Sequence, residues 1–400
     1  MNVGYYFHPQ AVFSADGTTA KTEAHWGLFI GALAAEVGQV TYFAHSSEGT
    51  GNGLETFELG PARNVNVVNL GPRRRRPLMY LFPWPNLRHF KPKQNGLDAM
   101  IVRGPTSLLP AFARRARRAG IPVLGLLVDD TSNWQGRTGQ PGWRVALIKM
   151  WLWWQAKAIA NVGRKSLMMA ISQSIVRDPW FKRTVPMRTS SFSRADLTGP
   201  DARTRPFPSP GERIRLLYTG RIASEKGLFE LCDAIEMLVA DGYDVECDLA
   251  GAVYVDDPTI HALEARIARG LTDRVTFLGF LEAGPELLGA YERADVFVLP
   301  TYGEGAVTRT IKEAFAKGVP VVTTTIREIT EFLTDGTEAV LVPRQDARAL
   351  ADGIKRVIDD PALRDRMTKA GFDWVQDYTN EASAALVAGY VRDEVARGVR

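Results

Sequence analysis

The stretch 218–227 reads YTGRIASEKG, and the stretch 304–322 reads EGAVTRTIKEAFAKGVPVV. Each one follows an apolar run and leads into a segment of helical periodicity, the order of a strand, a turn and a helix. Similar runs surround both stretches, which predicts a parallel sheet covered by helices on both faces. The predicted strands of this half are Ile214–Thr219, Val245–Ala250, Val275–Leu278, Val296–Pro300, Val319–Thr323 and Ala339–Val342.

The first half of the chain repeats this pattern more loosely. Its predicted strands are Val3–Phe7, Val40–Ala44, Val65–Leu70, Ala99–Val102, Val123–Val128 and Leu167–Ile171. Between the halves, residues 198–211 contain four prolines and two glycines, which favours a linker at 198–212. Because 400 residues exceed one ordinary core, we predict two doubly wound Rossmann-like domains facing across a cleft.

Two cations follow the strand that ends at Thr219. Arg221 and Lys226 lie just beyond its carboxyl end, and Gly220 allows the backbone to turn tightly there. A guanidinium and an ammonium at this spacing can bind two phosphate groups. The same residues could instead form a solvated basic turn, so the spacing alone leaves both interpretations open.

The second stretch predicts a helix that begins near Thr308, because Ile311, Ala314 and Phe315 recur at i, i+3 and i+4. Glu313 then points away from this apolar stripe, about 200° around the helix from Ile311. The loop before the helix offers backbone N–H groups to an anion. Glu304 starts that loop, and it could equally be an acidic residue favoured by the helix dipole.

Composition narrows the function further. Residues 1–200 carry 25 basic and 11 acidic side chains, whereas residues 201–400 carry 24 and 34, so the first half favours an anionic surface or partner. The start of the chain shows no secretory signal, and no apolar run of about 18 residues could span a membrane. Two cysteines fit a reduced cytoplasmic setting. We recognise neither a nucleic-acid module nor metal-ligand spacing, so no metal is expected.

Residues 214–375 resemble the nucleotide-binding domain of the GT-B retaining glycosyltransferases of family 4. The resemblance rests on five blocks in order: Gly-Arg-x4-Lys-Gly at 220–227, VTFLGF at 275–280, YERADVFVLP at 291–300, the two-glutamate stretch, and Asp335-Gly336. One departure concerns the spacing of the glutamates, since eight residues separate them here and the family usually has seven. Either the loop bulges by one residue, or Gly305 takes the usual place of the first glutamate.

The resemblance implies a role for each matching residue. Arg221 and Lys226 would bind the donor diphosphate, Glu313 would bind the ribose hydroxyls, and Glu304 would hold the transferred sugar. The other donor-binding positions implied are Gly17, Gly220, Gly279, Phe280, Gly305, Ala306, Val307 and Thr308. In the first half, Gly17 belongs to a loop similar to the family's glycine loop. Asp129 and Asp130 stand where relatives carry a histidine, and they could orient an acceptor hydroxyl or simply cap a turn.

The expected domains are an acceptor-binding domain at 1–197 and a nucleotide-sugar-binding domain at 213–377. A final helix at about 378–400 is expected to pack back on the first domain. The expected reaction moves a sugar from UDP-sugar or GDP-sugar to a hydroxyl acceptor, lipid-linked or part of a cell-surface glycan, without a resident cofactor. Alternatives are a nucleotide-sugar epimerase, disfavoured by the scarcity of histidines, and a subunit that binds the donor without transfer.

A basic and aromatic surface suggests where the acceptor is met. The sequence joins the cations Arg73, Arg74, Arg75 and Arg76 to an apolar run, and a later helix contains Trp151, Trp153 and Trp154. Cations beside aromatic side chains suit an anionic membrane surface, such as the inner face of the cytoplasmic membrane. Alternatively, the tryptophan helix belongs to the core and the arginine run is a solvated loop.

Overall fold

The computed structural model describes residues 1–47, 56–72, 84–127, 142–171, 176, 181–189, 191–200, 206–252, 259–282, 284–303 and 308–398. The chain forms two compact units. The first comprises Met1–Thr189 together with Asn380–Arg400, and the second comprises Ser190–Thr379. Each unit has its own sheet and its own buried apolar core, which confirms the predicted pair of parallel-sheet domains.

The first unit is built on a sheet in which seven parallel strands follow the order β5-β3-β1-β6-β7-β8-β9. Two antiparallel strands, β2 and β4, extend the carboxyl end of β1. The strands are β1 (Asn2–Phe13), β2 (Ala20–Glu23), β3 (Gln39–Ser46), β4 (Thr56–Leu59), β5 (Val65–Pro72), β6 (Ala99–Gly104), β7 (Val123–Leu127), β8 (Leu167–Ala170) and β9 (Thr184–Pro186). All six strands predicted for this half are present, whereas β2, β4 and β9 were not predicted.

Helices cover both faces of this first sheet. Those of the first half are α1 (Ala24–Val37), α2 (Trp84–Leu87), α3 (Leu109–Arg118) and α4 (Gly142–Gly163). The C-terminal helix, Asn380–Arg397, packs against α1 and contributes Val387 and Val391 to the core of this unit. The chain therefore returns to its first unit at the end, as the apolar side of this helix requires.

The second unit has six parallel strands in the order β12-β11-β10-β13-β14-β15. They are β10 (Ile214–Thr219), β11 (Val245–Ala250), β12 (Val275–Gly279), β13 (Val296–Leu299), β14 (Val321–Thr324) and β15 (Val340–Val342). The helices are α5 (Leu228–Ala240), α6 (Thr259–Ile267), α7 (Pro285–Arg293), α8 (Arg309–Ala316), α9 (Arg327–Thr330), α10 (Ala347–Asp359) and α11 (Pro361–Val375). The strand order reverses between β10 and β13, and such a reversal opens a crevice at the carboxyl ends of the strands.

The boundary between the units lies at Thr189, ahead of the linker that the prolines predicted at 198–212. Residues before the prolines already pack on the second unit: Phe192 belongs to its core, and the Thr198 N–H donates to the Ala316 carbonyl at 2.7 Å. Proline content excludes helix and central strand from this segment, but it does not prevent an irregular chain from packing. Residues 201–205 lie outside the described part of the chain.

Candidate functional site

The two stretches that decide the fold meet at the reversal point of the second sheet. Strands β10 and β13 pair directly, with Leu217 opposite Phe297, so the loops that follow them leave the same edge. The Tyr302 N–H donates to the Glu225 carbonyl at 2.9 Å, which fastens one loop to the other. A sequence separation of about eighty residues is thereby reduced to hydrogen-bonding distance.

Glycines permit this close approach. A Cβ atom at Gly227, whose φ is +69°, would lie 2.0 Å from the Pro300 carbonyl oxygen. A Cβ atom at Gly251 would lie 1.6 Å from the Gly220 carbonyl oxygen, and Gly220 itself has a φ of +153°. Any side chain at 227 or 251 would have to push backbone apart. Sequence analysis missed Gly251, although a glycine directly after a buried strand is a signal of close backbone packing.

The two cations of the first loop differ in exposure. Half of the Arg221 side chain is exposed, and its Nη2 donates to Glu225 Oε1 at 2.9 Å. Lys226 ends a short 3-10 turn and is only 7% exposed. The Tyr218 hydroxyl donates to the Arg221 carbonyl at 2.7 Å and stabilises the turn between them. One half-exposed and one buried basic residue therefore follow the carboxyl end of β10.

A buried hydrogen-bond chain holds the carboxylate of Glu313. The Tyr291 hydroxyl donates to Glu313 Oε2 at 2.9 Å, and the Ser191 hydroxyl donates to Glu313 Oε1 at 2.6 Å. Because the tyrosine proton is used in this way, the Thr219 hydroxyl donates to the Tyr291 oxygen, which lies 2.5 Å away. Burial, and then the charge of Glu313, raise the pKa of Tyr291 well above its usual value, so this phenol remains a donor.

This chain joins the two halves of the candidate site. Thr219 is the last residue of β10, next to the loop of Arg221 and Lys226, while Glu313 belongs to α8. Each carboxylate oxygen of Glu313 has a second lone pair available after accepting one hydrogen bond. Sequence analysis missed Ser191 and Tyr291 as partners of Glu313, although Tyr291 lay within a block quoted for the family resemblance.

Helix α8 begins where the sequence predicts. Thr308 is its N-cap, and the Thr308 hydroxyl accepts from the Ile311 N–H at 3.4 Å. Ile311, Ala314 and Phe315 are buried, which confirms the predicted stripe. Glu313 is nevertheless buried too, because Tyr291 and Ser191 cover the side of the helix that the spacing left open. The predicted donor loop, Glu304, Gly305, Ala306 and Val307, lies outside the described residues.

Lys312 is a buried charge beside this site that sequence analysis did not single out. Burial, reinforced by Arg309 and opposed by Glu313, lowers the pKa of Lys312 to about 7. Its ammonium nitrogen lies 4.8 Å from the centre of the Tyr378 ring, and this contact stabilises a positive charge. No feature of the sequence indicated this burial, because the spacing placed the neighbouring Glu313 on the open side of the helix.

The edge of β12 carries the residues expected to meet the base. Gly279 has a φ of +75°, and its carbonyl accepts from the Gly251 N–H at 2.7 Å. The Gly220 N–H donates in turn to the Ala250 carbonyl at 3.0 Å, so the ends of β12, β11 and β10 line up. Phe280, directly after Gly279, exposes an aromatic ring on this edge. Its contact with a base stays a prediction.

Gly17 lies in a turn of a different kind from the one expected. The Ser14 N–H donates to the Thr19 carbonyl at 3.0 Å, which closes a turn between the antiparallel strands β1 and β2. Hydrogen bonds from Ser14 and Thr18 lower the pKa of Asp16 to about 2 and stabilise this turn. Strand β2 therefore separates Gly17 from α1, so the loop does not lead directly into that helix.

The remaining predicted residues of the first half fall in gaps of the described ranges. Asp129, Asp130 and the arginine run 73–76 lie outside the described residues. Within the described ranges, we find no group of three or more His, Cys, Asp or Glu side chains that could hold a metal ion. Cys232 and Cys247 are free cysteines, and both side chains are buried in the core of the second unit.

The second unit is similar in sequence to a known family. Residues 213–360 match the family model described as Glycosyl transferases group 1. Alpha-D-kanosaminyltransferase of Streptomyces kanamyceticus is 32% identical over 216 residues, covering 53% of this chain and 54% of that protein. Phosphatidyl-myo-inositol mannosyltransferase of Mycobacterium leprae is 27% identical over 235 residues, covering 54% and 60%. The matched region thus spans little more than half the length of these curated relatives.

The fold extends beyond the region of sequence similarity. The crystal structure of Anabaena Alr3699/HepE in complex with UDP superposes with a TM-score of 0.66 at 16% identity, covering 98% of this chain and 100% of that one. Similarity at this level of identity concerns the fold alone. It covers both units, so the less family-like first half shares the architecture as well.

Proposed function

We propose that this chain, a group 1 glycosyltransferase with the GT-B fold, moves a sugar from a nucleoside diphosphate sugar to a hydroxyl acceptor and retains the anomeric configuration. One observation carries the proposal: at the reversal point of the second sheet, hydrogen bonds from Thr219 through Tyr291 join the strand that ends beside Arg221 and Lys226 to the held carboxylate of Glu313. Cations suit a diphosphate, and a carboxylate suits the hydroxyls of a ribose.

The proposed chemistry places negative charge where the cations lie. As the bond between the anomeric carbon and the phosphate oxygen breaks, charge develops on the departing diphosphate. The ammonium of Lys226, a buried residue, would stabilise this charge, and the half-exposed guanidinium of Arg221 would bind the other phosphate. The acceptor oxygen bonds to the same face of the anomeric carbon, and its proton passes to the leaving phosphate oxygen.

The two carboxylates of the second stretch would orient the donor. Glu313 would accept hydrogen bonds from the ribose hydroxyls through the lone pairs that Ser191 and Tyr291 leave available. Glu304 would hold the hydroxyls of the transferred sugar, and the edge at Gly279 and Phe280 would meet the base. Fixing both ends of the donor keeps the reacting carbon close to the acceptor, which lowers the entropic part of the barrier.

The donor and acceptor classes are part of the proposal. A neighbour in fold was solved with UDP, which supports UDP-sugar as the first donor to test, with GDP-sugar as the second. The relative named as a phosphatidyl-myo-inositol mannosyltransferase supports a lipid-linked hydroxyl acceptor, and a cell-surface glycan is the other proposed acceptor. We propose that the reaction needs no metal ion and takes place at the inner face of the cytoplasmic membrane.

Replacing Lys226 tests the proposal. We expect Lys226→Ala to lower turnover by about two to three decades, because loss of one charge-stabilising donor costs roughly 3 to 4 kcal/mol of barrier. Lys369→Ala, at an exposed position of α11, is the matched control and should keep full turnover. Unchanged turnover in a folded Lys226→Ala protein would refute the role of Lys226.

Product analysis separates the competing functions. Incubation with the donor alone should leave the nucleotide-sugar intact or slowly hydrolysed, and a new isomeric nucleotide-sugar would instead identify an epimerase. Donor binding without transfer across a broad panel of acceptors would identify a non-catalytic subunit. The configuration of the new glycosidic bond, determined by NMR, decides whether transfer occurs with retention.

A further inference from the structure

Helix α4 presents a row of large apolar side chains to solvent. Trp143, Leu147, Met150 and Trp154 follow one another at spacings of four, three and four residues, so they lie within about 60° of one another around the helix. Their side chains are 63%, 51%, 54% and 54% exposed. We call these four residues the outer face of α4.

The outer face does not belong to the core of its unit. Ile148, Leu152 and Ile159 lie about 140° to 180° away around the same helix and form its inner side. Ile159 is buried in the core, and Ile148 and Leu152 are partly covered. The helix is therefore attached by one apolar side while it presents a second apolar side outward, which exceeds what folding of this unit requires.

Helix α4 carries positive charge in addition to the outer face. Arg144, Lys149 and Lys157 lie on α4, and the helix has no acidic residue between 142 and 163. Helix α3 lies beside α4, with Arg117 Nη2 donating to the Val162 carbonyl at 2.8 Å, and its Arg114 is exposed. Helix α3 likewise contains no acidic residue. An anionic surface would meet no repulsion from either helix.

We propose that the outer face of α4 docks on an anionic phospholipid membrane. Tryptophans at the two ends of an apolar row, with lysine and arginine on the same helix, suit a helix that lies in the membrane interface. In the described part of the chain, no helix has the length and apolarity to cross a membrane. A membrane fits better than an acidic protein partner, because a membrane supplies apolar depth for side chains of different shapes as well as negative charge.

This surface extends the proposed function, since it would hold the first unit where a lipid-linked acceptor is met, but docking can be measured without transfer. The test is sedimentation of the full chain with vesicles of phosphatidylcholine containing 30% phosphatidylglycerol at low salt. We expect binding that weakens with added salt and is much lower on pure phosphatidylcholine. The triple variant Trp143→Ser, Leu147→Ser, Trp154→Ser should lower the partition coefficient on the order of tenfold or more.

Two single variants serve as controls for the vesicle experiment. Val239→Ser, at an exposed apolar position of α5 in the other unit, should bind vesicles as the unchanged protein does. Lys226→Ala should also bind vesicles while losing transfer. The docking proposal and the proposed function can therefore fail independently of each other. Equal vesicle binding by the triple variant, or no binding by the unchanged protein, would overturn the proposal. Loss of a dimer in the triple variant, without vesicle binding, would assign the outer face to a second copy of the chain instead.

Discussion

Helices α8 and α4 break the usual pattern of burial in opposite directions. Helix α8 buries two charged side chains, Lys312 and Glu313, whereas α4 exposes three tryptophans, Trp143, Trp153 and Trp154. Burying a charge costs free energy unless hydrogen bonds or ion pairs compensate it. Exposed aromatic surface is avoided in most proteins unless something covers it.

The comparison shows that each exception has a physical context. On α8, Glu313 is held by two hydroxyl groups, and one of them, that of Tyr291, also bonds to Thr219 at the end of β10. On α4, cations and an absence of acidic residues accompany the exposed row. The local sequence pattern alone placed Glu313 on an open side of α8 and left the exposure of α4 undecided. Substitutions that restore the ordinary pattern on either helix therefore test whether the exception serves stability or function.

The largest expected effect concerns Lys312 on α8. Its pKa of about 7 lies below the ordinary 10.5, so the unfolded chain binds more protons between these values and stability rises with pH. Below pH 7 the lysine destabilises the fold by its full amount. In Lys312→Met this penalty is absent. The free energy of unfolding of Lys312→Met should exceed that of the unchanged protein by more at pH 6 than at pH 10. The difference between the two gains should be on the order of 4 kcal/mol.

Urea unfolding at both pH values measures this difference. Lys369→Met, at an exposed position of α11, serves as the control and should show no such dependence on pH. Equal gains for Lys312→Met at pH 6 and pH 10 would mean that the ammonium group is charged at both, and that its burial is compensated by its neighbours.

The next effect compares the two sides of α4. Ile159→Ala on the inner side should lower the free energy of unfolding by about 3 kcal/mol, since it leaves a cavity in the core. Trp154→Ala on the outer face should change the free energy of unfolding by less than about 0.5 kcal/mol, because more than half of this residue is exposed in the folded protein. Thermal unfolding measures both. A large loss in Trp154→Ala would place its ring in the core and contradict the proposed docking surface.

Much of the fold was predictable because parallel strands covered on both faces need continuous apolar runs. Strands β10 and β11 have the predicted bounds, and α8 begins where the predicted N-terminus lies. Strands β2 and β4 were missed, since each has only four residues and forms an antiparallel extension without a long apolar run. Periodicity therefore locates central strands and overlooks short edge strands.

The candidate site was predictable as two loops and a carboxylate, but its internal support was not. Tyr291 and Ser191 lie 22 and 122 residues from Glu313 along the chain, so no spacing rule relates them. The exposure of α4 was equally hidden, because its apolar content fits a core helix as well as an interfacial one. Such facts depend on which surfaces the tertiary structure covers.

A smaller effect than those of Lys312 and Ile159 is expected when one oxygen atom that supports Glu313 is removed. Tyr291→Phe removes one hydrogen bond to the carboxylate and leaves the Thr219 hydroxyl without its acceptor. We therefore expect the free energy of unfolding to fall by about 1 kcal/mol. If Tyr291 positions Glu313 for the ribose, the KM for the donor should rise several-fold while kcat changes little, because the ribose lies away from the bond that breaks.

Tyr243→Phe is the matched control, since Tyr243 also donates to a carboxylate, Asp359, at 2.5 Å in the same unit. A merely structural loss would lower the unfolding temperature of both variants and leave the donor KM of both unchanged. A raised KM in Tyr291→Phe alone would instead tie the hydrogen-bond chain to donor binding. The buried charge of α8 would then be explained by the ligand it holds, as the exposed rings of α4 would be by the surface they meet.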